Sequence, residues 1–355
     1  MILEPFHVEA AAKALDGVAV RTPAVTSPAL DKTSGYPVVC KAESLQRTGS
    51  FKFRGAYHHT ACLPQTARAS GIIGASSGNH AQALALTATL LGIRATVVIP
   101  DDAPKGKIQG ARALGARVIT YDRTRHDRDA MVRALSQQHG LAVVPSANSL
   151  DVMAGAGTAA LELLTDHPDI TTLVVPIGGG GLAAGSAVIA KHLNPDLQVI
   201  GVEPWSAADT LQSLHAGHRI TLRAVPRTIA DGLRHITPAE LPWEVDAHLL
   251  DDVVTVTDYD ITTAIAFAFR HLKLVAEPSG ACALAAVLAG QVTHSSGTIG
   301  VVISGGGIDL PIFHHLTTDA QCKADPPMPE DDAFPPVAVG TIPAGAGSRL
   351  RDLQL

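Results

Sequence analysis

Lys52 stands between two phenylalanines in the loop Thr48-Gly49-Ser50-Phe51-Lys52-Phe53-Arg54-Gly55. Apolar neighbours strip water from an amine, lower its pKa and make it a nucleophile. A solvated lysine at a helix start has the same local sequence, and an apparent helix follows from Ala56 to Leu63. A second loop, Ser76-Ser77-Gly78-Asn79-His80, comes directly after the apolar run Gly71 to Ala75 and before a long helical stretch. Two hydroxyls, a glycine and an amide at a helix N-terminus make a cradle for a carboxylate, since free N–H groups and the positive helix end favour an anion. Plain N-capping by Ser76 or Ser77 accounts for one serine, though hardly for the cluster. The third loop is Gly178-Gly179-Gly180-Gly181 before Leu182, again between a strand-like run and a helix. Without Cβ atoms, backbone amides can converge on a phosphate; a structural glycine turn is the alternative. No acidic residue follows at the distance a dinucleotide site requires. The fourth loop, Ser304-Gly305-Gly306-Gly307, could place a hydroxyl on a ring nitrogen, with glycines admitting a flat ring.

Elements must bring these loops together. Candidate strands are Val38 to Lys41, Gly71 to Ala75, Ala95 to Pro100, Arg117 to Tyr121, Leu141 to Pro145, Thr172 to Pro176, Gln198 to Val202, Val253 to Val256 and Thr298 to Ile303. Most are continuous Val/Ile/Leu runs, the pattern of parallel strands buried on both faces. The stretches between them, such as His80 to Leu91 and Arg133 to Gln138, have helical composition. This alternation predicts an open α/β fold, whose ligands bind where the strands' carboxyl ends release their loops. Each of the four loops sits at such an end. From Asp325 to Leu355 the chain is rich in Pro and Gly with few apolar clusters, which predicts a tail with little core. No appended ligand-sensing unit is expected after the catalytic part.

The whole composition narrows the function. A net charge of −6 with 4% aromatics argues against nucleic-acid binding, which needs a basic face. Cys40, Cys62, Cys282 and Cys322 form no C-x-x-C pair, so neither a zinc knuckle nor a redox dithiol is indicated, and unpaired thiols suit a reducing cytoplasm. No apolar stretch reaches the ~20 residues of a membrane span.

Taken jointly, Ser50-Phe51-Lys52-x-Arg54-Gly55, Ser76-Ser77-Gly78-Asn79-His80, the tetraglycine and Ser304-Gly305-Gly306 resemble the fold-type II pyridoxal-phosphate enzymes, specifically the serine/threonine dehydratase and serine racemase family. The likeness runs from about Pro5 to Leu316. Phe53, Ser77 and Glu277-Pro278-Ser279-Gly280 point to the dehydratase/racemase branch rather than to the related cysteine and threonine synthases. The resemblance implies an α/β fold like tryptophan synthase β, with two parallel-rich sheets and flanking helices. A large domain of residues 1–66 and 146–320 would hold the cofactor, and residues 67–145 would form a small substrate-carboxylate domain. It further implies a homodimer acting on a small amino acid.

The same resemblance implies roles. Lys52 would hold pyridoxal phosphate covalently and, once displaced, act as general base at the substrate Cα. Phe51 would pack near the ring, and Asn79 would meet the ring hydroxyl. Ser76, Ser77, Asn79 and His80 would hold the substrate carboxylate, and Gly178, Gly179, Gly180, Gly181 and Leu182 the phosphate. Glu277 and Ser304 would complete the cofactor site. A neutral hydroxyl such as Ser304 cannot stabilise a protonated ring nitrogen as an aspartate would. Prompt loss of a β-leaving group is thereby favoured, which suits dehydration to a 2-oxo acid and ammonia. Racemisation is the rival, with Ser77 as the acid on the opposite face. Glu203, the Ala207 carbonyl and Asp209 have the spacing of a divalent-metal site in the racemase branch, and hard oxygen ligands suit Mg²⁺ or Ca²⁺; a solvated Glu/Asp pair has the same spacing. Arg234-His235 departs from the small or polar residues common in the branch, and could favour an acidic or bulkier substrate such as a β-hydroxyaspartate if it does not simply face solvent. Gly307 departs too, from a usual asparagine. Arg128 aligns with an arginine that approaches substrate, unless it is a helix-surface residue.

Overall fold

The computed structural model describes residues 2–76, 78–122, 125–292 and 296–319. Among them, ten strands appear: β1 (Ala24–Val25), β2 (Val38–Ala42), β3 (Ile72–Ala75), β4 (Ala95–Pro100), β5 (Arg117–Tyr121), β6 (Ala142–Val143), β7 (Ile170–Pro176), β8 (Gln198–Pro204), β9 (Asp252–Val256) and β10 (Thr298–Ile303). They form a six-stranded sheet in the order β1-β2-β10-β7-β8-β9 and a four-stranded sheet in the order β5-β4-β3-β6. All pairings are parallel except β1 with β2. This is the parallel-rich α/β architecture expected. The Pro/Gly-rich tail lies outside the described residues.

The buried runs behave as their composition requires. β4 and β10 are buried at every position, and β7 at all but one. Alternate residues of one strand join opposite layers: Val174 packs with Val301 and Ile265 on one side of the larger sheet, Leu173 and Val175 with Val302 and Leu182 on the other. β5 differs from the expected buried run. As the outermost strand of its sheet it leaves Arg117 and Thr120 exposed and buries only Tyr121. β6 is shorter than expected because only two of its residues pair with β3. β1 went unread, since a two-residue strand has no periodicity to detect.

Small residues let the helices cross at backbone contact. A Cβ on Gly157, in the helix Leu150–Asp166, would lie 2.5 Å from the carbonyl oxygen of Gly185 in the helix Gly181–Leu193. The Lys52–Cys62 helix lies where the sheets meet. Its Phe53 and Ala56 belong to the core of the smaller sheet, while Arg54 and Gly55 abut the helix Leu150–Asp166. Four of the carboxyl ends, those of β2, β3, β7 and β10, lead to the four loops singled out above.

Candidate active site

Backbone hydrogen bonds bind the lysine loop to the end of β10. Phe51 N–H donates to the Ser304 carbonyl (3.0 Å), Gly306 N–H donates to the Gly49 carbonyl (2.9 Å), and Ser50 bridges to Gly305. Two loops remote in sequence are thereby one surface. Lys52 is itself the first residue of its helix, four residues before the expected start. Its Nζ donates to the Ser146 carbonyl at 2.9 Å and lies 4.7 Å from the Phe51 ring centre. Loss of water pushes its pKa down to about 8. The amine is poised to react.

The carboxylate loop is more varied in function than its sequence suggests. Ser76 Oγ accepts from Gly78 N–H at 2.9 Å, so this hydroxyl closes the turn as well as lining the cleft. Ser77 lies outside the described residues. Asn79 opens the helix Asn79–Leu90; its amide nitrogen donates to Glu277, while its Oδ1 is buried with no hydrogen-bond partner among the described residues. The sequence places His80 among the carboxylate-binding groups, and the structure modifies this. Burial, then the Lys52 charge, lower His80 to about 3, so the ring is neutral and carries a single N–H. That proton is engaged at Nε2 by the Val144 carbonyl, 3.0 Å away. Only a lone pair remains at Nδ1, which cannot donate to a carboxylate.

At the tetraglycine, Gly180 has φ +88 and caps the helix Gly181–Leu193, so its backbone amides open toward the cleft. Gly178 and Gly179 lie against the His235 ring: a Cβ on Gly178 would sit 3.0 Å from Nδ1. His235 therefore roofs the glycine loop instead of facing solvent. Burial, followed by the charges of Lys52 and Arg128, lowers it to about 3. Leu182 points into the core, leaving its backbone to the loop. Ser304 is buried and lines the same cleft as Lys52, the four glycines and Glu277.

The cleft has a volume of about 480 Å³. Arg128 enters it from the smaller sheet's side, half-exposed, with Nε bonded to Asp129 at 3.0 Å. Arg234 is held by two donations to the Thr228 carbonyl, at 2.9 and 2.5 Å. Lys107 was invisible to motif reasoning, being one lysine in an ordinary amphipathic helix, Lys105–Ala113. It spans the cleft to Asp231 (2.8 Å) and Glu277 (3.0 Å) of the larger sheet's loops. Burial disfavours its charge, but these two carboxylates hold its pKa above the ordinary lysine value.

Glu203 and Asp209 are brought together behind the glycine loop. Both Glu203 oxygens accept backbone N–H groups, from Thr210 (2.9 Å) and Leu211 (3.0 Å). Neither Asp209 oxygen has a partner among the described residues. Burial, and for Glu203 the Asp209 charge, raise the two to about 8 and about 7. Asp246 escaped sequence reasoning because it sits inside a helix with no motif around it. It is buried, both its oxygens lack partners among the described residues, and burial and Glu203 push it well above the ordinary carboxylate value. Unpaired buried carboxylates beside the buried Ala207 turn suit a hard divalent cation. These residues are no solvated pair.

A desolvated amine, a glycine cradle at a helix N-terminus, a buried unpaired amide oxygen and a serine at the far end fit one cofactor class, a phosphorylated pyridine aldehyde. Residues 15–305 match the sequence family described as "Pyridoxal-phosphate dependent enzyme". An L-threo-3-hydroxyaspartate ammonia-lyase of Pseudomonas sp is 39% identical over 317 residues, covering 89% of this chain and 99% of that one. An L-threonine ammonia-lyase of Thermotoga maritima is 37% identical over 317 residues, 89% of this chain and 79% of that one. The structure of maize serine racemase superposes with a TM-score of 0.85 at 36% identity, covering 90% of this chain and 98% of that one. The chain belongs to the pyridoxal-phosphate dependent enzymes of fold type II.

Proposed function

We propose that the protein is an ammonia-lyase that removes water and ammonia from 3-hydroxy amino acids, with a 3-hydroxyaspartate as its best substrate and L-serine and L-threonine as smaller ones. The observation that carries this reading is a cleft with the Lys52 amine in its floor and two guanidiniums, Arg128 and Arg234, in its wall. Arg128 is paired through Nε with Asp129, and Arg234 donates to the Thr228 carbonyl; a second carboxylate on the substrate would add a further anionic partner that serine and threonine lack. The relatives from Pseudomonas sp and Saccharomyces cerevisiae named for L-threo-3-hydroxyaspartate support it.

Pyridoxal phosphate, when bound, supplies the electron sink that acidifies the substrate Cα–H. Lys52 Nζ would carry it; the N–H groups of Gly178, Gly179, Gly180 and Gly181 would hold the phosphate. Asn79 Oδ1 would accept from the ring hydroxyl, and the Ser304 hydroxyl would face the ring nitrogen. Ser76 and the Asn79 helix N-terminus would orient the α-carboxylate. Lys52 Nζ, once free, takes the proton from Cα, because its lowered pKa leaves much of it neutral near pH 8. Lys107 ties Glu277, and through it Asn79, to the opposite wall of the cleft.

A 2-oxo acid assay across L-serine, L-threonine and both 3-hydroxyaspartates, with chiral analysis of recovered substrate, tests the reading. Arg128→Met should raise KM for hydroxyaspartate about 10- to 100-fold, the worth of one charged hydrogen bond, and leave that for L-serine within about threefold. Equal losses on both substrates would remove Arg128 from substrate selection. The chiral measurement reads racemisation, which begins with the same proton removal.

Glu203, Asp209 and the Ala207 carbonyl would hold Mg²⁺ or Ca²⁺. Binding at high occupancy stabilises a fold by a few kcal/mol, so chelation should lower Tm by about 5 °C, and either ion should restore it. An unchanged Tm after chelation would count against the site. Exposed Phe269, Val275, Leu310 and Ile312 support a homodimer, and the free Cys40, Cys62 and Cys282 suit the cytoplasm.

A further inference from the structure

We propose that His58, Cys62 and Asp151 form a site for a borderline-soft divalent ion such as Zn²⁺, separate from both the cofactor cleft and the Glu203–Asp209 pair. One ligand atom from each of the three lies within 4.8 Å of the others. His58 and Cys62 are one turn apart on the Lys52–Cys62 helix and so share a face. Asp151 comes from the first turn of the helix Leu150–Asp166, placed there by the Ser149 cap. Cys62 Sγ is 3.8 Å and 3.9 Å from the two ring nitrogens of His58. Zinc–nitrogen and zinc–sulfur bonds of about 2.0 and 2.3 Å, meeting at a tetrahedral angle, hold N and S roughly 3.6 Å apart. The N–S separation is close to that value, and because Sγ is nearly equidistant from both nitrogens, a rotation of the His58 ring or the Cys62 side chain would bring the sulfur beside one lone-pair axis. A weak thiol–imidazole contact by itself needs no third, anionic ligand beside it.

The chemistry is consistent with ligation. His58 is buried, and burial lowers its pKa against the opposing pull of Asp151, with His59 and His7 lowering it further. A neutral imidazole offers the lone pair a metal requires. Asp151 Oδ2 lies 3.2 Å from His59 Nδ1, and that nitrogen also meets Ser149 Oγ at 2.9 Å, so the carboxylate is oriented from behind. Cys62 is exposed, which gives the ion an entrance. Binding would displace the Cys62 thiol proton to solvent, and the resulting thiolate with the Asp151 carboxylate balances the two positive charges of the ion. Water would take the fourth position. Nitrogen, sulfur and oxygen together select Zn²⁺ over Mg²⁺ or Ca²⁺, which prefer oxygen alone. The ion would join the C-terminal end of the lysine-bearing helix to its neighbour. Toward the other end of this contact the two helices already meet at backbone distance, since a Cβ on Gly55 would lie 2.6 Å from the Val152 carbonyl oxygen.

Titrating the holoenzyme with Zn²⁺ in saturating Mg²⁺, against a chromophoric chelator, should show one Zn²⁺ bound per chain. Cys62→Ser, at an exposed position that folding tolerates, should weaken it at least tenfold, and His58→Ala likewise. Cys322→Ser should leave it unchanged, and all three variants should keep their turnover in Mg²⁺. Co²⁺ in place of Zn²⁺ should give the intense visible bands of a tetrahedral, sulfur-ligated ion. Unaltered affinity in Cys62→Ser, loss of affinity in Cys322→Ser, or a weak octahedral Co²⁺ spectrum overturns the site. If His58→Ala fails to fold, Cys62→Ser and Asp151→Asn decide the matter by the same criterion.

Discussion

Replacing Lys52 with alanine is expected to lower 2-oxo acid formation at least about 10³-fold, because it removes both the covalent anchor and the base at Cα. The effect should fall on chemistry and hardly on folding. Among the described residues Lys52 Nζ makes a single hydrogen bond, to the Ser146 carbonyl, so the substitution removes one contact and relieves the desolvation that already disfavours the buried charge. An amine with a pKa of about 8 is about one quarter neutral at pH 7.5, against roughly one part in eight hundred for an ordinary lysine. Wild-type protein should therefore take up pyridoxal phosphate with a rate that climbs as pH approaches 8, turn yellow and be bleached by borohydride. Lys52→Ala should do neither while keeping its Tm within a few degrees. Undiminished turnover by this variant would sink the functional reading as a whole.

Arg54→Met should be strongly destabilising, costing about 3–5 kcal/mol. Two residues from Lys52, Arg54 is fully buried and grips two carboxylates at once. It donates to Glu43 at 2.8 and 2.9 Å and to Glu162 at 2.7 and 2.9 Å. Lys41, also buried in β2, completes the network with a 2.6 Å bond to Glu162, and Thr22 donates its hydroxyl to Glu43 at 2.5 Å. Two cations face two anions, and removing Arg54 leaves two carboxylates, Glu43 and Glu162, with the single cation Lys41. Burial alone would raise the Glu43 carboxyl, yet the Arg54 charge and hydrogen bonds, with Thr22 and Lys41, hold it below its ordinary value. A carboxyl with a depressed folded pKa adds stability above its unfolded value of about 4, and that stability is lost as pH falls through the folded pKa. In Arg54→Met the direction reverses: burial without a partner raises the carboxyl, so the variant should lose stability as pH rises from about 4 toward neutrality. Urea midpoints at several pH values measure this. Unfolding free energies from these midpoints that fall within about 1 kcal/mol of wild type at pH 7 would show that the network contributes little.

Much of the site could be read without coordinates. The order of the loops, their glycine and hydroxyl content and their places after apolar runs identified Lys52, Asn79, the tetraglycine and Ser304, and all of them line one cleft. Parallel strands were legible for the same reason, since burial on both faces demands unbroken apolar runs. His80 and Arg54 were recognised as members of motifs, but their work was not. His80 engages a backbone carbonyl and Arg54 a buried ion network, and neither partner is near in sequence.

Chain order alone determined which residue types stand at the strand ends, because strand periodicity and turn chemistry are local properties written over a few neighbouring residues. Tertiary structure decided everything that depends on partners from distant elements. It joined Lys107 to Glu277 across the cleft, left Asp246 and Asp209 buried without partners among the described residues, and set Asp151 beside His58 and Cys62. Charge, desolvation and ligand geometry act through distance in space, and a linear chain carries no record of that distance until it folds.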